Sequence, residues 1–493
     1  MEPERRPILF VSLPESGLLN PMLVLAGELS RREVPDLWFA TDEHRQSEVE
    51  QAATGSPIAF ASLGAVVPEM AATTWDDDTY RAVTQRSRFK ARRALIRHTY
   101  DPTLQAAKYR KLETALDEVQ PALLVIDIMC RYAVELAITR KIPYVLCDPY
   151  LPSMWLSAPV PFGKSYTPGD FPVPHTGFSN RMSPPQRVAN WLFRLRTLLM
   201  FLTPRMSRML SQDKRTRQEL GIVPEARKPM AMIDHAALVL CLSIPELDYP
   251  FPIPGNVATV GPLIPPLPES AQPNEISSWL DSRSSVVYIG LGTVTRLTRA
   301  QIHAMVEVAR RLDGAHHVLW KLSAEQQQLL PPSSSLPKNL RIVTWLPSQL
   351  DVLAHPNVKV FLTHGGSNGF HEGVYFGKPL VLRPLWADCY DEAVRAEDHG
   401  FGITLDRPDE VDTEDVVRKL TNVLRNPSFQ ARARHFGLLV RKAGGVGTAA
   451  DLVTSVSDRG LVPRTRVGSR RRQLSPTPTS DTPTGSASST PVS

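Results

Sequence analysis

Long apolar runs are missing from this 493-residue chain; none approaches the roughly 18 to 20 residues needed to span a bilayer. The opening MEPERRPILFVSLP is basic and then apolar, as a signal peptide is. Its apolar part has only a strand's length, and Pro14 and Glu15 close it without a small-residue cleavage site, so a cytoplasmic protein is expected. Cysteine is scarce. Cys130, Cys147, Cys241 and Cys389 are widely spaced and form no CxxC pair, which argues against a metal knot or disulfide scaffold and leaves reduced, mostly buried thiols as the expectation. The body of the chain also lacks concentrated positive charge. Of the net +6, five arginines and one aspartate after Gly460 put +4 in the last 33 residues. A nearly neutral body has no electrostatic footprint for nucleic acid.

What is present is an α/β rhythm in a chain too long for one compact core. PILFVSL, DLWFAT, ALLVIDI, PYVLCD and ALVLCLS read as buried strands of a first half, with helical periodicity between several of them. SVVYIGLG, HHVLWKL, LRIVTWL, VKVFLTH and PLVLRPL restart the pattern. The expected architecture is α/β, with two doubly wound, Rossmann-like domains facing each other across a cleft and ligands at the carboxyl ends of the strands. Residues 1–242 form the first domain, interrupted at 151–227 by a Pro/Gly-rich loop and an arginine-interrupted apolar helix read as a lid, with membrane-surface contact as the alternative. A proline-dense connector spans 243–274, and a second domain covers 275–460 with helices returning at its end. The Ser/Thr/Pro-rich tail 461–493 has too few large apolar residues to fold, so disorder is expected there.

The stretch HPNVKVFLTHGGSNGFHEGVYFGKPLVLRPLWADCYDEA carries the chemistry. It reads as strand, tight turn, helix and strand. Gly365 and Gly366 let the backbone approach a ligand closely, and the helix behind them offers unpaired N–H groups and a positive dipole end suited to phosphate. Glu372, one turn into that helix, can accept hydrogen bonds from a ribose. His364 before the turn and Asp388 after the next strand reach the same rim.

With WLPSQLDVLAHP before it and PLWADCYDEA after, this segment resembles the donor-binding signature of UDP-dependent glycosyltransferases that modify small lipophilic molecules, and the resemblance extends over nearly the whole ordered chain. It implies the two-domain GT-B fold and a role for each matching residue. Trp345 would stack on uracil and Gln349 would contact the uracil edge, displaced by the extra Ser348. His364, Asn368 and the backbone of Gly366, Ser367 and Gly369 would hold the diphosphate, with Thr293 adding a hydroxyl. Glu372 would take the ribose, and Asp388 and Cys389 would face the sugar. Two departures stand in this half. Gly369 replaces a serine, and Cys389 replaces the glutamine that reads the sugar, which leaves glucose as the default donor.

The third departure concerns the base. Family members carry Gly-His-x-Asn-Pro at the first strand–helix turn, where SGLLNP keeps Gly17, Asn20 and Pro21 but has Leu18 in place of the histidine. Leucine accepts no proton. The histidine's aspartate partner remains as Asp127, which becomes the candidate catalytic base, with a helix-capping aspartate as its plain reading and Glu15 or His98 as substitutes. Gly17, Leu18, Leu19 and Asn20 would line the acceptor pocket. WDDDTY looks like an acidic metal motif but lies in the acceptor half, so no metal and no cofactor beyond the UDP-sugar co-substrate is expected.

The resulting expectation is an inverting, metal-independent transferase moving a sugar, glucose by default, from a UDP-sugar to a small hydrophobic acceptor. A carboxylic acid, an acidic phenol or an activated aromatic carbon of a secondary metabolite needs the least help from a base. The rival is a catalytically disabled relative that binds UDP or a lipophilic ligand as a regulatory partner; a UDP-sugar epimerase is a second enzymatic alternative. Partners would be donor and acceptor, no nucleic acid, and at most peripheral membrane contact.

Overall fold

The computed structural model describes residues 7–67, 72–158, 160–266 and 274–459. The expected disordered tail 461–493 therefore lies outside the described residues, as does part of the expected connector.

Two all-parallel sheets organise the chain. The first has the order β3-β2-β1-β4-β5-β6-β7, where β1 is Ile8–Val11, β2 Leu37–Thr41, β3 Ile58–Ser62, β4 Leu123–Asp127, β5 Tyr144–Asp148, β6 Leu238–Cys241 and β7 Val257–Thr259. The second runs β10-β9-β8-β11-β12-β13, with β8 Val286–Gly290, β9 His317–Lys321, β10 Leu340–Val343, β11 Val358–Thr363, β12 Leu380–Leu382 and β13 Gly402–Thr404. The central strands ILFV, LLVID, YVLCD and VVYIG are buried along their full length, because helices cover both faces of a parallel sheet. Each sheet reverses its strand order once, between β1 and β4 and between β8 and β11. At such a switch point the connections diverge and open a crevice beyond the carboxyl ends of the strands.

Two boundaries differ from the sequence reading. The proline-dense connector is structured in part: β7 pairs in parallel with β6 and extends the first sheet past residue 242. At SGLLNP, placed in the first strand–helix turn, the helix Ser16–Arg31 already begins directly after Glu15, with no side-chain cap, and Gly17 sits in its first turn. Pro21 lies inside this helix, so the Gly17 carbonyl lacks its usual i+4 donor.

The halves meet through a buried latch. Arg395 on the helix Asp388–His399 pairs with Asp248 at 3.0 Å and lies 4.0 Å from the Tyr249 ring centroid. Asp391, one turn earlier, accepts the backbone N–H groups of His175 and Gly177 at 2.5 and 2.8 Å. The last helix, Gly445–Arg459, packs Ala449, Ala450, Val453 and Val456 into the core of the first domain against Leu25 and Leu29. All four cysteines are buried and unpaired. No helix among the described residues is long and apolar enough to cross a membrane.

Candidate functional site

Several of the residues expected to bind the donor follow the carboxyl ends of the second sheet's strands. β11 delivers His364, and the helix Ser367–Tyr375 starts three residues later with Gly366 as its cap and no side chain closing its end. Two glycines leave room for the imidazole. A Cβ on Gly292, just beyond β8, would lie 2.5 Å from His364 Cε1, and one on Gly366 would press on Nε2. Gly292 and Gly365 both have φ of +76°, which a side chain would strain. Burial and the Arg383 guanidinium hold His364 down at about 4, so the ring is neutral at ordinary pH; Nδ1 has no hydrogen-bond partner.

Around that ring the remaining groups take distinct places. Trp345 is 67% exposed, an open aromatic face of the kind a base stacks on. Thr293 and Asn368 also reach the surface of the crevice. Gly369 packs against the Thr363 hydroxyl, where a Cβ would come within 3.3 Å. The Ser367 hydroxyl is turned away to Glu392, so the residue offers the crevice its backbone alone. Burial raises Glu372 to about 7 against the opposing hydrogen bond from Gln349 Nε2 at 2.6 Å. Gln349 is committed at both ends, because its Oε1 accepts from the Tyr288 hydroxyl at 2.7 Å. The expected uracil-edge residue therefore has its side-chain amide bonded to Tyr288 and Glu372. The extra Ser348 has a plain purpose: it caps the helix Gln349–Ala354 by accepting from the Asp351 N–H at 3.0 Å.

Asp388 opens the helix Asp388–His399 that follows β12. Burial raises it to about 7, while its own N–H and that of Ser367 pull the other way. Cys389 is a correction. Its side chain is completely buried and its backbone packs beneath Gly365, so the thiol does not face the crevice. Arg383 was not anticipated. It follows β12 at 4% exposure, and both Nε and Nη1 lack partners. A buried guanidinium without a carboxylate is costly unless an anion completes it.

At the first sheet's crevice the same position is closed. Asp127 ends β4 at 1% exposure and accepts the N–H groups of Met129 and Leu13 at 2.9 and 3.2 Å and the Cys130 thiol at 3.8 Å. Burial lifts it to about 6 despite those bonds. Its oxygens tie the end of β4 to the end of β1, as a structural aspartate does. Glu15 differs: burial raises it to about 7, Asp127 and Asp42 add to the rise, and Oε2 has no partner. Gly17 and Asn20 are exposed and Leu18 is half-buried. Leu19 is a second correction, since it is fully buried with Met22, Leu25 and Phe39 in the core and lines no pocket. His98 is exposed on the helix Arg88–Thr99.

Comparison with known proteins follows this geometry. A family description, "UDP-glucoronosyl and UDP-glucosyl transferase", matches residues 36–439. The chain belongs to this family. Over 257 residues it is 29% identical to human 2-hydroxyacylsphingosine 1-beta-galactosyltransferase, covering 50% of this chain and 44% of that one. Over 282 residues it is 30% identical to rabbit UDP-glucuronosyltransferase 2C1, covering 56% and 51%. The chain thus spans about half the length of the curated relatives it matches. Among solved structures, the glycotransferase of kitacinnamycin superposes with a TM-score of 0.67 at 18% identity over 92% of this chain and 100% of that one. The calicheamicin glycosyltransferase CalG4 gives 0.62 at 20% identity over 94% and 100%. Both fix the fold as GT-B.

Within this UDP-glycosyltransferase family member the acidic WDDDTY run is structural. Asp76 caps the helix Asp77–Val83 through the Thr79 N–H at 2.7 Å, and Asp77 pairs with Arg296 of the other half at 2.9 Å. No group of three or more potential metal ligands occurs among the described residues.

Proposed function

We propose that the chain transfers a sugar from a UDP-sugar to a small hydrophobic acceptor, with inversion at the anomeric carbon. The observation that carries this is a neutral histidine, in room left by two glycines at an open helix N-terminus, beside an unpaired buried guanidinium. His364 and the helix N–H groups would hold the diphosphate, and Arg383 would offset the charge that develops on it as the glycosidic bond breaks. Trp345 would stack on the base, and Glu372, held by Gln349, would take the ribose hydroxyls. Asp388 would hold the sugar. Glucose is the default; relatives named for galactosyl and glucuronosyl transfer put those two sugars beside it.

For proton transfer the Glu15–Asp127 pair supports a different division of labour from the one the motif implied. Both Asp127 oxygens already accept hydrogen bonds that position the turn, while Glu15 has an unpartnered oxygen and a raised affinity for protons. The acceptor oxygen would form its bond to the anomeric carbon as the bond to the UDP oxygen breaks, and its proton would pass to Glu15. Acceptors that are already ionised, such as carboxylic acids and acidic phenols, need this least.

A panel of aromatic acids, phenols, activated aromatic carbons and alcohols, each offered with UDP-glucose, UDP-galactose and UDP-glucuronate and read by mass spectrometry, tests the reading. Products confined to the first three acceptor classes are expected. The second reading, a binding protein that has lost catalysis, rests on Leu18; UDP binding without any product would favour it.

A further inference from the structure

The helix Pro184–Phe201 has two apolar faces, where the sequence suggested one broad one. Its inner face seats Asn190, Phe193, Thr197 and Met200 against the protein, with Phe193 edge-on to Phe89 at 5.7 Å and the Asn190 side chain bonded to the backbone of Phe171 and Val173. Successive residues of a helix turn by about 100°. Val188, Trp191, Leu192, Leu199 and Leu202 therefore fall in one stripe about 100° wide, directly opposite the inner face. They are exposed, Trp191 at 57% and Leu202 at 69%. Six of the nine large apolar side chains exposed among the described residues lie between 188 and 210, so the stripe is a concentrated patch rather than ordinary surface scatter.

The charge beside the stripe is all of one sign. From 171 to 212 the chain has six arginines and no aspartate or glutamate. Arg187 and Arg196 flank the stripe on its two sides, and Arg205 and Arg208 continue it along the next helix, Pro204–Glu219. All four are exposed. We propose that this outward face docks on an anionic lipid surface, lying in the plane of the headgroups. An apolar stripe about 21 Å long would enter the acyl boundary, with Trp191 at the interface and the arginines meeting lipid phosphates. A second copy of the chain fits the face less well, because a symmetric contact would set arginines against arginines. The proposal does not depend on which reaction the cleft performs.

Co-sedimentation of the full chain with vesicles tests it. Binding is expected to phosphatidylcholine–phosphatidylglycerol vesicles, weakening as salt rises, and not to phosphatidylcholine alone. Changing Trp191→Ser, Leu199→Ser and Leu202→Ser together should weaken it about tenfold or more without moving the thermal transition, since these side chains face solvent. Changing Arg196→Gln, Arg205→Gln and Arg208→Gln together should abolish the preference for anionic vesicles. The proposal fails if the wild type does not pellet, or if it pellets equally with both vesicles. It also fails if the serine variant pellets as well as the wild type, which would assign binding to the arginines at 464–472. A wild-type dimer that the serine variant converts to a monomer in sedimentation velocity would give the face to a second copy instead.

Discussion

The two crevices are built on the same strand order and have been finished in opposite ways. In the donor half, backbone and glycine keep the switch point open: Gly292 and Gly366 leave room for one imidazole, and the helix after it has no capping side chain. In the acceptor half, the corresponding aspartate is plugged by two N–H groups and a thiol, and leucine stands where a proton acceptor would. Topology supplies a crevice to both. Whether it binds charge or excludes it depends on which polar atoms are left without partners inside the protein.

That contrast can be broken most severely at His364. His364→Ala removes a preorganised donor to the diphosphate and is expected to cut turnover about 10²- to 10³-fold. The acceptor side gives a sharper test of division of labour. Glu15→Gln should lower turnover on weakly acidic phenols about 10²-fold or more while leaving UDP affinity and the thermal transition unchanged. Asp127→Asn should instead destabilise the fold by about 1–3 kcal/mol in a denaturant titration, because one of its accepting oxygens becomes a donor facing backbone N–H groups. If the two variants behave alike, the division proposed here is wrong. With Glu15 as the acceptor of the proton, the rate should rise with pH through about 7, where that carboxyl ionises.

Arg383→Met should weaken UDP binding about tenfold, measured by calorimetry, yet raise the stability of the unliganded protein, since a buried unpaired charge is removed. The smallest effect concerns Glu372. Its carboxyl is raised from 4.5 to about 7 by burial, so the folded chain keeps a proton that the unfolded chain has released. That contribution is complete below about pH 4.5 and is lost as pH rises to about 7. Glu372→Gln should flatten the stability curve over this window.

Ten of the thirteen strands among the described residues could be read from the sequence. The three that could not, β3, β7 and β13, are edge strands and only partly buried. Most of the candidate donor site could be proposed from sequence because residues 345–388 carry it as one continuous segment. What escaped was tertiary. Arg383 sat within a run read as a strand, and nothing local separates Asp127, bonded to Leu13 across 114 residues as well as to Met129 and Cys130, from Glu15, whose Oε2 has no partner. Cys389 and Leu19 were assigned by motif position, and their burial was set by the turn and core they support.

The helix Gly445–Arg459 gives the molecule an order of construction. A ribosome delivers the first sheet early, but Leu25 and Leu29 have no complete cover until Ala449 and Val453 have emerged. The first half therefore waits, with part of its apolar surface unprotected, while the second is made. The last described helix is the piece that finishes the first domain.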